Sequence, residues 1–123
     1  MRAFCVGKVL YSKSKKYKAG DLVMGMIGWQ KYAVLNAKEV AIIPSEYPNP
    51  EHFLGVFGIS GLTAYIGVHE IGKIKKDDIV VISAAAGAVG EIAVQLAKYH
   101  GCRVCGIAGS DEKCSYLKQI GAD

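Results

Sequence analysis

No apolar run in the chain approaches the roughly 20 residues that a membrane-spanning helix requires, so no membrane partner is expected. The opening residues Met1-Arg2-Ala3-Phe4-Cys5-Val6-Gly7-Lys8 alternate instead of forming the apolar block of a secretory leader. This pattern leads us to expect a cytoplasmic protein. Cysteine is sparse, and the second C-x-x-C or nearby His pair that would complete a zinc site is missing. Cys102 and Cys105 do have that spacing, but their segment reads as a strand, where residues three apart face opposite ways. With Cys5 and Cys114 isolated, free thiols in a reducing compartment are expected. His52, His69 and His100 lack partners at metal or triad spacing. Acidic residues fall short of basic ones, 11 against 15, and much of the surplus sits in Lys8, Lys13, Lys15, Lys16 and Lys18. Lysines in a row can neutralise phosphates. Tyr11 and Tyr17 flank them without any nucleic-acid module, so we read a solvated loop and no nucleic-acid partner.

Only three prolines occur, and they are bunched at Pro44, Pro48 and Pro50, which marks a connector. Before it, Phe4 to Val9, Leu22 to Ile27, Trp29 to Leu35 and Val40 to Ile43 read as short strands of a small barrel or sandwich. Trp29 and Tyr32 either pack or line a ligand pocket. After the connector, Glu51 to Gly55 reads as a short helix. Leu62, Tyr65 and Ile66, with His69 one turn on, fall at helical spacing and predict a second helix over 62–71. This gives three stretches: a β-rich part over 1–50, a helical connector over 51–76, and a β–α–β–α part over 77–123.

The third stretch carries the main signal. The β-branched run Ile79-Val80-Val81-Ile82 stops at Ser83-Ala84-Ala85-Ala86-Gly87-Ala88-Val89-Gly90, and a helical pattern then begins at once. This is the strand–turn–helix of a dinucleotide site in an A-x-x-G-x-x-G variant. Gly87 lets backbone approach a pyrophosphate, and Gly90 lets the helix lie close to its strand. The N–H groups of Ala88, Val89 and Gly90 would receive the phosphates. The helix places Val89, Ile92, Ala93, Leu96 and Ala97 on one face and ends at Gly101. A strand over 102–108 follows, then a helix capped by Ser110, and such short alternation implies a parallel sheet. At the end of that strand an NAD site usually carries an acidic residue, whereas Ala108-Gly109-Ser110 are small. Lys113 then sits in a first helical turn, against the dipole. It is a candidate 2′-phosphate ligand; the rival readings are a solvated Lys113, or Asp111 reaching the ribose hydroxyl.

Gly58-Ile59-Ser60-Gly61-Leu62-Thr63-Ala64-Tyr65, the 83–90 fingerprint and Gly106-Ile107-Ala108-Gly109-Ser110-Asp111-Glu112-Lys113 occur in this order. Together with Gly20-Asp21-Leu22-Val23 and Gly28-Trp29, they resemble the medium-chain dehydrogenase/reductase superfamily. Within it, they are similar to the zinc-independent prostaglandin reductase and alkenal double-bond reductase group. The resemblance implies an α/β fold: part of a β-rich GroES-like catalytic domain followed by the first βαβα half of a Rossmann-type parallel sheet. It implies NADP(H) as cofactor, bound through Gly87, Ala88, Val89, Gly90 and Lys113, and a small enal or enone as substrate. The activity implied is reduction of the carbon–carbon double bond of α,β-unsaturated aldehydes and ketones, by hydride to the β-carbon and a proton to the α-carbon. Full-length members can form homodimers. No cysteine falls in Phe57 to Tyr65, where zinc members carry a ligand, so no metal is expected. Thr63 and Tyr65 either border the cleft or pack their helix. The chain matches an internal slice of much longer members, so we expect no catalytic residue in it and no turnover by it alone. A non-catalytic nucleotide-binding or assembly fragment is the alternative, and a quinone oxidoreductase is the alternative within the class.

Overall fold

Three of the four strand-like runs in the first fifty residues pair with one another. The computed structural model describes all 123 residues, Met1–Asp123. Strands β1 (Cys5–Lys8), β2 (Leu22–Gly25) and β3 (Val40–Ile42) form an antiparallel sheet in the order β1-β2-β3. Cys5 stands opposite Gly25, and Val23 opposite Ile42. Val23, Ile43 and Tyr17 are buried beneath it. The Tyr17 hydroxyl donates to the carbonyls of Val40, at 2.6 Å, and Ala37, at 3.1 Å, which anchors the lysine-rich loop to β3.

The run Trp29 to Leu35 forms no strand. Strand β2 already has a neighbour on each side, and the backbone N–H groups of Gly28 and Trp29 are taken by the Ala3 and Met1 carbonyls. Trp29 and Tyr32 are 80% and 69% exposed, so neither packs as a core aromatic. Trp29 lines an open hollow of about 500 Å³ with Arg2, Met26 and Gln30. The connector closes with a 3-10 turn at Pro50–Leu54.

The chain packs as two units, Met1–Leu54 and Gly55–Asp123, and the second begins with helical structure. Helix α1 spans Ile59–Tyr65 and continues as a π-helical turn over Ile66–Ile71. It starts three residues before the expected Leu62, and its faces are exchanged. Leu62, Tyr65 and Ile66 are exposed, whereas Gly61, Ala64 and Val68 are buried. The reason is proximity: Ala64 and Val68 pack on Ala93 of the next helix, and only small side chains allow that approach.

Strand β4 (Ile79–Ile82) runs parallel to β5 (Arg103–Gly106), with Ile79 opposite Arg103 and Ile82 opposite Gly106. Helix α2 (Gly90–Tyr99) connects them, and α3 (Asp111–Gln119) follows β5. Their core is Val94 and Ala97 from α2, Val104 from β5, Leu117 from α3, with Ala85 and Cys102. Val94 lies at its centre, so the buried stripe of α2 is turned from the expected one, and Val89 is partly exposed. Gly101, at φ +86°, ends α2 as expected. The opposite face of the sheet carries Ile79 and Val81, both exposed. No helix is long and apolar enough to cross a membrane.

Candidate functional site

The turn from β4 into α2 is built from small residues because the helix starts almost on top of the strand end. Ala84 adopts φ +48°, and its carbonyl accepts the Gly87 N–H at 2.9 Å. The Gly87 carbonyl in turn accepts the Glu91 N–H at 2.9 Å. A Cβ added at Gly90 would lie 2.4 Å from the Ala84 oxygen and 2.7 Å from the Ala85 Cα. Only glycine fits there. At Gly87 the nearest atom would be 3.2 Å away, which is tight but less severe. The N–H groups of Ala88, Val89 and Gly90 donate to no carbonyl of the chain. The result is a cluster of free amides at the positive end of a ten-residue helix, with Ala88 solvent-exposed. Such a cradle suits an anion.

The second half of the candidate site lies on α3. Ser110 caps this helix, its hydroxyl oxygen accepting the Lys113 N–H at 3.3 Å. The Lys113 side chain is exposed and enters no ion pair. A Cβ at Gly109 would meet nothing within 4 Å, so the space beyond β5 is open. One turn further along α3, the Tyr116 hydroxyl donates to the Glu91 carboxylate at 2.8 Å, tying α3 to the first turn of α2. That hydrogen bond, together with partial burial and the Glu91 charge, pushes the Tyr116 phenol up from its ordinary value. No spacing rule links residues 91 and 116, so this pair cannot be read from chain pattern alone.

The remaining candidates are spent locally. The Thr63 hydroxyl donates back to the Ile59 carbonyl at 2.7 Å, one turn earlier in its own helix. The Tyr65 ring lies 4.8 Å from that of His69, which in turn lies 5.3 Å from His100. Cys102 is buried and its thiol donates to the Lys75 carbonyl at 3.2 Å, whereas Cys105 is exposed on the other side of the sheet. Burial and the nearby Asp78 and Asp77 carboxylates push the Cys102 thiol up. No group of three or more His, Cys, Asp or Glu side chains is placed to hold a metal ion. Zinc therefore does not fit this donor set.

Known families and proteins match along the same lines. The family described as the N-terminal domain of oxidoreductase matches residues 1–43, and the family described as zinc-binding dehydrogenase matches residues 88–123. The zinc in that second description has no counterpart in the donors above. Rat prostaglandin reductase 1 is 40% identical over 121 residues, 96% of this chain and 37% of the rat protein. The NADP(+)-dependent 2-alkenal reductase of tobacco is 43% identical over 114 residues, 92% of this chain and 33% of its own length. The crystal structure of CurA from Vibrio vulnificus in complex with NADPH superposes with a TM-score of 0.91 at 40% identity. It covers 100% of this chain, which spans 37% of CurA. The chain thus spans little more than a third of the relatives it matches.

Proposed function

Because the chain belongs to the medium-chain dehydrogenase/reductase superfamily, in its prostaglandin and alkenal reductase group, we propose that it forms the NADP(H)-binding portion of an enone reductase. The observation that carries this reading is the amide cradle at Ala88, Val89 and Gly90, made accessible by a helix that only Gly90 allows so close. The cofactor's diphosphate sits on those amides, and the unpaired Lys113 receives the 2′-phosphate. The small residues Ala108 and Gly109 leave room for that phosphate, where an acidic side chain would repel it. Gly87 keeps the approach clear.

When bound, the reduced nicotinamide supplies hydride to the β-carbon of an α,β-unsaturated aldehyde or ketone. The residues of this chain hold the adenine half of the cofactor in place for that reaction. None of them is assigned a catalytic role. Hydride transfer requires the two reactants to be held at near-attack distance. The 123 residues taken alone are therefore expected to bind cofactor without turnover. The division of labour is a catalytic-domain portion at 1–50, a helical connector at 51–76 and a cofactor portion at 77–123. The setting is the cytoplasm, with small-molecule substrates, a homodimer for the full-length relatives, and no nucleic-acid or membrane partner.

Calorimetry with NADPH and NADH on the purified chain tests the reading. Tighter binding of NADPH than of NADH is expected. Equal affinity for the two would remove the 2′-phosphate assignment, and no binding of either would remove the nucleotide site.

A further inference from the structure

Glu91 occupies an awkward place. It is the second residue of α2, and the amides of Ala88, Val89 and Gly90 immediately before it are free. A carboxylate in a first helical turn is drawn to the positive end of the dipole and to unpaired N–H groups. Left to itself, the Glu91 side chain would fold back on the cradle and occupy the place of a phosphate. In the structure it does not. Its Oε2 accepts the Tyr116 hydroxyl of α3 at 2.8 Å, and Tyr116 lies three residues after Lys113 on the same helix. Positions three apart share a helix face, so the phenol that holds Glu91 and the lysine without an ion pair stand side by side.

We propose that Tyr116 is a positioning residue that holds the Glu91 carboxylate off the amide cradle at the start of α2, keeping that cradle open to a phosphate. The consequence for cofactor binding rests on the function proposed above. The device itself does not, since it concerns two side chains and three amides of the chain. Tyr116 does not touch the cofactor. It acts by giving Glu91 a better partner than the helix terminus. A hydrogen bond to a charged acceptor is worth more than an exposed carboxylate's interaction with a helix end.

Two measurements on the purified chain test this. In the first, the amide resonances of Ala88, Val89 and Gly90 are followed by NMR while the Glu91 carboxyl is titrated. They should move little in the wild type and markedly in Tyr116→Phe, where the freed carboxylate reaches them. In the second, NADPH affinity is measured by calorimetry. Tyr116→Phe should weaken it by about twofold to fivefold, the scale of one charge near a helix terminus. The double variant Tyr116→Phe/Glu91→Gln should restore it, which a merely structural tyrosine would not allow. Silent amides in Tyr116→Phe, or an affinity loss that Glu91→Gln fails to restore, overturn the proposal. If the amides respond but the wild type binds no NADPH, the positioning role stands and the proposed function falls. If NADPH binds Tyr116→Phe as it binds the wild type, the function stands and the positioning role falls. Should loss of the phenol unfold the chain, Glu91→Gln alone keeps the ring and removes the competing charge. It should then bind NADPH at least as tightly as the wild type, and weaker binding overturns the proposal.

Discussion

Gly90 is where sequence spacing and backbone geometry agree most closely. The fingerprint names it for helix–strand approach, and the structure leaves 2.4 Å between its missing Cβ and the Ala84 oxygen. Gly90→Val should lower the unfolding free energy by about 1–3 kcal/mol, the usual cost of overpacking, and abolish NADPH binding in the same variant. Thermal melts and calorimetry read the two effects, and an unchanged melt would mean the turn has room that the backbone does not suggest. Lys113→Ala should cost about tenfold in NADPH affinity and leave NADH nearly untouched, as expected for one exposed charge-assisted contact. Equal losses for both nucleotides would make Lys113 structural. The close approach at Gly90 and the Ser110 cap of the helix that carries Lys113 were legible because they follow from chain neighbours. The Glu91–Tyr116 pair was not legible, because it spans 25 residues and joins two helices.

Among the elements, β4, α2, β5 and α3 could be read directly, since each is bounded by a glycine, a cap or a change of period. Helix α1 could not. Its sequence has apolar residues nearly all round, so periodicity alone cannot choose the buried face. The choice went to the small stripe Gly61, Ala64 and Val68, which fits against α2. Trp29 to Leu35 differs in another way: strand propensity reflects packing against neighbours, and Trp29 and Tyr32 stay exposed. Strand alternation does settle the cysteines. Cys105 should react rapidly with a maleimide in the native chain, while the buried Cys102, its thiol held protonated by burial and by Asp78 and Asp77, reacts only on unfolding. Peptide mapping after a short pulse of reagent distinguishes them, and rapid Cys102 labelling would show that the Lys75 contact opens readily.

At the scale of the molecule, stability is expected to depend on pH in part through Asp123. The Lys98 ammonium, 2.6 Å from the Asp123 carboxylate, and then the Val104 N–H hold that carboxyl below its usual value. A carboxyl depressed in the folded state contributes stability that is complete above its unfolded value, about 3.9. That contribution is lost as pH falls through the lower folded value. The melting temperature should therefore drop on acidification below about pH 4, and Asp123→Asn should flatten that part of the curve. An identical acid profile in the variant would assign the effect to other carboxylates. Both groups are about 42–43% exposed, so added salt should shrink the difference.

Asp123 has a second contact with β5: its own N–H donates to the Val104 carbonyl at 2.9 Å, while its carboxylate accepts the Val104 N–H at 2.7 Å. Val104 thus has both backbone groups on that edge claimed by one residue, like a key seated in a slot. A slip of one position along a strand edge exchanges every inward side chain for an outward one. With Val104 occupied, Asp123 fixes the alignment of its own segment against β5. The aspartate therefore acts as an index mark for this edge.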